Sequence, residues 1–173
     1  MRCPACESPN PPGADLCGKC QTPLAALDAP AASGPVEASL LHDPVSVLDP
    51  RPPVTVPADA TLGDAIRAMI DTRVGAVLVT GADGVLVGIL TERDFLSKVA
   101  GVPGYDRLSV AEFMTPSPET VTPRDLLAVA LGKMDSGGYR HLPVVEAGKP
   151  VGVISVRDVL RHLTTIGPAS RHS

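Results

Sequence analysis

Four cysteines stand near the start of the chain, as Cys3-Pro4-Ala5-Cys6 and Cys17-Gly18-Lys19-Cys20. Two thiolates three positions apart on a tight turn face one metal ion, and a second such turn completes a tetrahedron. The spacing therefore predicts a structural zinc site with Cys3, Cys6, Cys17 and Cys20 as ligands. Two disulfides would suit a secreted chain, but no apolar signal-like stretch follows Met1-Arg2. Redox dithiols would need a βαβ setting, which the flanking sequence lacks. A closed four-thiolate site leaves no open coordination position, so it offers structure rather than catalysis. Residues 1–24 cannot bury enough apolar surface to fold alone, and the metal must supply the folding energy.

The second chemical signal is a phrase that occurs twice. Gly88-Ile89-Leu90-Thr91-Glu92-Arg93-Asp94 and Gly152-Val153-Ile154-Ser155-Val156-Arg157-Asp158 each run from an apolar stretch to a hydroxyl, with an acid three residues later and a second apolar run beyond. Hydroxyl-x-x-acid at that place is a capping box. The helix start behind it offers backbone N–H groups and the positive end of a dipole, which suits a phosphate. The plain alternative is that Thr91/Asp94 and Ser155/Asp158 are caps and nothing more. Arg93 and Arg157 read as solvent-facing or subunit-contact residues, and no role follows for His42, His162 or His172. The glycines at 81–88 and 137–138 lack the order of a P-loop or dinucleotide fingerprint and read as turns.

The elements needed to carry these phrases also come in duplicate. A short strand at 54–57 precedes a helix over 61–71, with Leu62, Ala65, Ile66, Met69 and Ile70 at helical spacing and Thr61/Asp64 as a capping box. Strands at 75–79 and 85–90 follow around a turn at 82–84, and Thr91 opens the closing helix. The second copy repeats the order: 120–123, a helix bearing Leu127, Ala130, Leu131 and Met134, strands at 142–145 and 151–154, then a helix from Ser155. Helix positions match at an offset of 65 and the closing phrases at 64, as if one residue were lost in a hairpin turn. Each copy is too small to bury an adequate core alone. Two copies pressed together would share one and leave related clefts at the seam.

This duplicated strand-helix-strand-strand-helix pattern resembles a tandem pair of CBS domains, the Bateman module. The motifs that carry the resemblance are the two phrases and Arg140-His141-Leu142-Pro143-Val144-Val145. It implies an α+β fold with two repeats in a pseudo-two-fold pair, residues 44–104 and 105–165. The first residues resemble a zinc ribbon at 1–24, although Glu7 and Gln21 replace the glycines such modules often carry after each Cys pair. Residues 25–43, mostly Ala, Pro, Gly and Ser over 25–39, read as a linker, and 166–173 as a fraying tail.

The CBS resemblance further implies an adenosine ligand (AMP, ADP, ATP or S-adenosylmethionine) between the copies, with the hydroxyl on phosphate and the acid on the ribose. Carried onto this chain, one cleft combines Ser155 and Asp158 with Arg140 and His141 on the phosphates. Val54, Val74, Gly75, Ala76 and Val153 line its base. The other cleft combines Thr91 and Asp94 with Thr115, Thr120 and Tyr139. The implied role is a non-enzymatic sensor that dimerises and signals to a protein partner. The alternative is a ligand-free dimeric adaptor.

Composition bounds what remains. Only two Tyr, two Phe and no Trp are present, so burial rests on aliphatic residues. A formal net charge of −4 and a ribbon with balanced charges and no aromatic point away from nucleic acid. No apolar run approaches a membrane span of about 18 residues, and the expected location is the cytoplasm. No nucleophile–base pairing is legible, so the expectation is a protein that is not an enzyme.

Overall fold

A computed structural model describes residues 2–3, 5–11, 14–22, 32 and 34–167. The chain divides into two compact units, Met1–Gly34 and Pro35–Ser173. Most of the expected linker and the expected tail beyond residue 167 lie outside the described residues, as do Pro23 and Leu24 of the expected ribbon.

The smaller unit holds two like-built turns. Glu7 N–H donates to the Cys3 carbonyl (2.8 Å) and Cys3 N–H to the Ser8 carbonyl (3.0 Å). Likewise Gln21 N–H donates to Cys17 (2.9 Å) and Cys17 N–H to Thr22 (2.9 Å). Asn10 ties the turns together, accepting from Gly18 N–H (3.0 Å) and donating to the Ser8 carbonyl (2.9 Å).

The larger unit begins with α1 (Pro35–His42), where the linker was expected to continue to residue 43. Proline suits a first helical position, and α1 packs against two later helices. Only Ser39 is fully buried on it, and its half-buried Val36 and Leu40 make too short a pattern to mark a helix.

The first copy runs β1 (Thr55–Pro57), α2 (Leu62–Thr72), β2 (Ala76–Thr80), β3 (Leu86–Thr91) and α3 (Glu92–Asp94), which passes into a π-helical turn, Phe95–Val99. After α4 (Val110–Phe113) and β4 (Thr115–Pro116), the second copy supplies α5 (Leu127–Gly137), β5 (His141–Glu146), β6 (Lys149–Ser155) and α6 (Val156–Ile166). The expected tail therefore starts after Ile166, the last residue of α6. The capping boxes at Thr61/Asp64, Thr91/Asp94 and Ser155/Asp158 all form.

One sheet has the order β1-β2-β3-β4, with β1 parallel to β2 and the other pairs antiparallel. The other pairs β5 with β6. The strand expected at 120–123 is reduced to a single parallel bridge, Val121 to Val144. A local turn takes its neighbour's backbone groups: Thr122 N–H donates to the Asp125 side chain (2.7 Å) and Asp125 N–H to the Thr122 carbonyl (3.2 Å).

The segment leading into each copy pairs with the closing strand of the other. Thr115 of β4 pairs with Ile89, and Arg51 bridges Val153 in β6, so both partners are displaced by 64 residues. The glycine of each repeated phrase sits at this junction. A Cβ on Gly152 would lie 2.7 Å from the Pro50 Cβ, and one on Gly88 would meet the Met114 Sδ. At Gly152 a larger side chain must spread the seam, whereas at Gly88 it meets only the flexible Met114 side chain.

Each copy has its own core, centred on Leu62, Met69, Val77 and Leu90 in the first and on Val121, Met134, Leu142 and Ile154 in the second. Ala76, Leu78 and Ile89 form a third cluster with Val153 of the other copy packed on it. β2 is thus buried on both faces, which is why its sequence is a continuous apolar run rather than an alternation.

Candidate functional site

The capping boxes set the acids of both clefts. Asp158 Oδ2 accepts from Ser155 N–H (2.9 Å) and from the Ser155 hydroxyl, while Oδ1 turns to Arg161 (3.3 Å) and Arg51 (3.6 Å). One oxygen caps the helix and the other faces cations, so cap and ligand handle need not exclude each other. Strand register then puts His141 opposite Ser155. A cavity of about 690 Å³ results, lined by Val54, Val74, Gly75, Ala76, Arg140, His141, Val153, Ser155 and Asp158, the nine residues assigned to this cleft from sequence.

One expectation needs correcting. The Val156 N–H donates to the Arg140 carbonyl (3.1 Å) and the Asp158 N–H to Ser155 Oγ (3.3 Å). The first and third N–H groups of α6 are therefore engaged within the protein, and the arginine side chains supply the formal positive charge of the cleft. Burial lowers the His141 pKa below its usual 6.5, as do Arg140 and Arg157, outweighing the opposite pull of Glu92 and Asp158. His141 is neutral at pH 7.

The second cavity, about 640 Å³, is lined by Thr91, Asp94, Thr115 and Tyr139, together with Glu119 and Pro118. Asp94 Oδ2 accepts from the Thr91 N–H (3.0 Å) and hydroxyl (2.6 Å), and Oδ1 from Lys98 (2.7 Å) and Thr115 (3.5 Å). Burial works to raise the Asp94 pKa, but donation from Lys98 and Thr91 outweighs it and the carboxyl sits below its usual value. Thr120 is not in the lining; its carbonyl accepts from Lys133 (2.7 Å). The bridges Val56–Val79 and Val121–Val144 set the offset of these strands at 65, so Glu119, not Thr120, corresponds to Val54.

The four thiols converge. Cys3 and Cys20 Sγ lie 3.5 Å apart and Cys6 and Cys17 Sγ 3.6 Å, with all four atoms within 4.8 Å of one another. Sulfurs about 2.3 Å from one zinc ion in a tetrahedron are separated by about 3.8 Å. The donor set and its spacing fit such an ion. Backbone N–H groups of Cys20 and Lys19 lower the Cys17 thiol to about 6, while burial raises Cys3 to about 11. Glu7 and Gln21 adopt φ of 57° and 59°, the left-handed conformation that makes glycine the easier residue there.

The CBS domain family model matches residues 46–101 and 110–165. This chain belongs to the CBS-domain family. A CBS domain-containing protein of Arabidopsis thaliana, CBSCBSPB5, is 39% identical over 108 residues, which are 62% of this chain and 20% of that protein. The chain thus spans about a fifth of that relative's length. A CBS-domain protein from Agrobacterium tumefaciens matches with a TM-score of 0.61 at 35% identity, covering 68% of this chain and 94% of that one. A CBS domain protein from Pyrobaculum aerophilum complexed with AMP matches with a TM-score of 0.62 at 34% identity, covering 70% and 98%.

The CBS pair also contains groups that the sequence reading passed over. Arg51 lines the first cleft, and the repeat offset applied to Thr115 would have pointed to it. Glu92, whose counterpart is Val156, lines both clefts. Arg157 and Arg93 are exposed, as expected, but each stands on a cleft lining. His162, given no role from sequence, bonds Ser39 Oγ through Nε2 (2.9 Å) and lies 3.7 Å from Asp43 Oδ2, which Ser39 also engages. The acid and the hydroxyl meet the same ring nitrogen, so no second nitrogen is oriented as a catalytic triad requires. This cluster pins α1 to α6. Among the described residues, no helix is long and apolar enough to cross a membrane.

Proposed function

We propose that the chain is a non-enzymatic regulatory module whose Ser155/Asp158 cleft binds an adenosine nucleotide of the AMP, ADP and ATP class. Occupancy biases the relative pose of the CBS copies, and a protein partner reads that bias. The observation that carries this reading is the convergence of all nine assigned residues on one cavity, apolar at Val54, Val74, Ala76 and Val153, charged at Asp158 and Arg140, and polar at His141. Asp158 Oδ1 takes ribose hydroxyls and Arg140 and His141 take phosphate. The AMP complex of the Pyrobaculum aerophilum relative supports the ligand class. In the smaller unit, one zinc ion on Cys3, Cys6, Cys17 and Cys20 holds a ribbon together.

The test is a thermal-stability titration with AMP, ATP and S-adenosylmethionine. Ligand at a hundredfold its dissociation constant adds about 2.7 kcal/mol, and Asp158→Ala removes the gain. No shift with any of the three overturns the nucleotide reading; a shift that survives the substitution overturns the choice of cleft. For the ribbon, one zinc per chain is expected by elemental analysis, lost in Cys6→Ser. Absence of stoichiometric zinc ends that assignment.

A ligand-free dimeric adaptor is favoured by a different observation. Ile70 and Leu96 are 67% and 71% exposed and flank a mainly apolar hollow of about 510 Å³ between α2 and the π-helical turn that follows α3. Such a face suits a second copy or a protein partner. A dimer in sedimentation together with a silent nucleotide titration would select this reading.

A further inference from the structure

The two clefts do not have separate walls. Gly75, Glu92, Arg140 and His141 line both of them. The cations are divided unequally around this common wall. Of the two clefts, Arg51, Arg73 and Arg157 line the Ser155/Asp158 one alone, where Asp158 is the unshared carboxylate. Among the described residues lining the Thr91/Asp94 cleft, Arg93 is its one unshared cation, set against Asp94 and Glu119. Those acids are held by Lys98 (2.7 Å) and Lys133 (3.1 Å). An anion in this second cleft therefore depends on Arg140 and His141, the same two groups that the first cleft presents to phosphate.

From this sharing we infer that the clefts are negatively coupled. An anionic nucleotide fills the Ser155/Asp158 cleft first, and by engaging Arg140 and His141 it weakens binding in the Thr91/Asp94 cleft. This rests on the nucleotide reading above and adds how the two sites regulate each other. Two effects act in the same direction. The first ligand occupies the donors that the second needs, and its phosphate charge lies against the wall that the second must approach. Glu92, on that wall in both clefts, adds like charge whichever cleft is filled. Coupling between sites of this kind typically spans about 5- to 150-fold in affinity, and it is reciprocal.

The experiment is calorimetric titration of the full chain with AMP, repeated on Asp158→Asn, which keeps an oxygen to cap α6. Should that variant fold poorly, Val54→Trp blocks the same cleft from its base wall. The wild-type chain should show a tight step and a second at least about fivefold weaker, or a single step. In the blocked variant the remaining site should bind more tightly than the wild type's second step, because Arg140 and His141 are released to it. Asp94→Asn should leave the first constant unchanged and remove the second step. Two equal, independent steps in the wild type, or a second-site constant unmoved by blocking the first cleft, would overturn the coupling alone. A titration with no heat from AMP and no competition by ATP would overturn the coupling and the nucleotide reading together.

Discussion

His141 concentrates the electrostatics of the site in one side chain. Burial keeps its imidazole neutral at pH 7, whereas a phosphate bound beside it would favour the protonated ring. The ligand-bound pKa must then exceed the free one, so binding takes up a proton. Affinity for AMP should rise as pH falls through the bound-state value and level off below the free-state value, which lies under 6.5. Dissociation constants measured between about pH 8 and about pH 6 should show this slope, and His141→Gln should flatten it. Folding has its own sign: a His pKa depressed in the folded state favours the fold above the unfolded value, and that advantage is lost as the medium becomes acidic. Glu7 and Gln21 are the second case. Their left-handed backbone costs an L-residue about 1 kcal/mol more than glycine. Glu7→Gly and Gln21→Gly should each tighten metal binding severalfold in a chelator competition.

Among the elements, the β5–β6 hairpin and α1 are the most informative. The hairpin turns through Ala147 and Gly148, both at positive φ (48° and 77°), as a two-residue loop matched to strand twist requires. Alanine is the strained member. Ala147→Asn should raise stability by about 0.5–1 kcal/mol, read as a higher midpoint in thermal unfolding. α1 has one polar tie to α6, with Ser39 and Asp43 on His162. Removing that partner with His162→Ala should cost about 1 kcal/mol and speed amide exchange in residues 36–42 more than in β2. The sequence alone leaves 35–42 reading as linker because its packing on α5 and α6, including the contact between residues 39 and 162, lies beyond any local pattern. The capping boxes, by contrast, were legible because donor and acceptor lie three residues apart.

For the molecule as a whole, the seam between the CBS copies is the feature to perturb. Gly152→Ala drives a methyl group against the Pro50 ring at 2.7 Å, and proline cannot swing aside as a flexible chain would. The expected cost is about 1–3 kcal/mol, together with loss of the AMP-induced thermal shift, because the clefts lie along the seam. Gly132→Ala on α5 is the control. A Cβ there meets nothing within 4 Å, so the change should stabilise the helix by up to about 1 kcal/mol. If both variants lose ligand response equally, the seam is not what shapes the cleft.

Short-range and repeated patterns were open to reading before any coordinates. Four thiols at metal spacing, three capping boxes and a duplication at an offset of 64–65 follow from residue type and local geometry; the resemblance to a CBS pair that they carry is what implied the nine residues of the first cleft. What depended on three-dimensional packing was the closure across copies. Arg51 reaches Asp158, Glu92 stands on both clefts and Thr120 falls outside the second cleft, because strand register joins segments about a hundred or more residues apart in some pairings. A one-residue slip in register moves a side chain to the opposite face, and a sequence written in one dimension carries no record of which partner strand sets it.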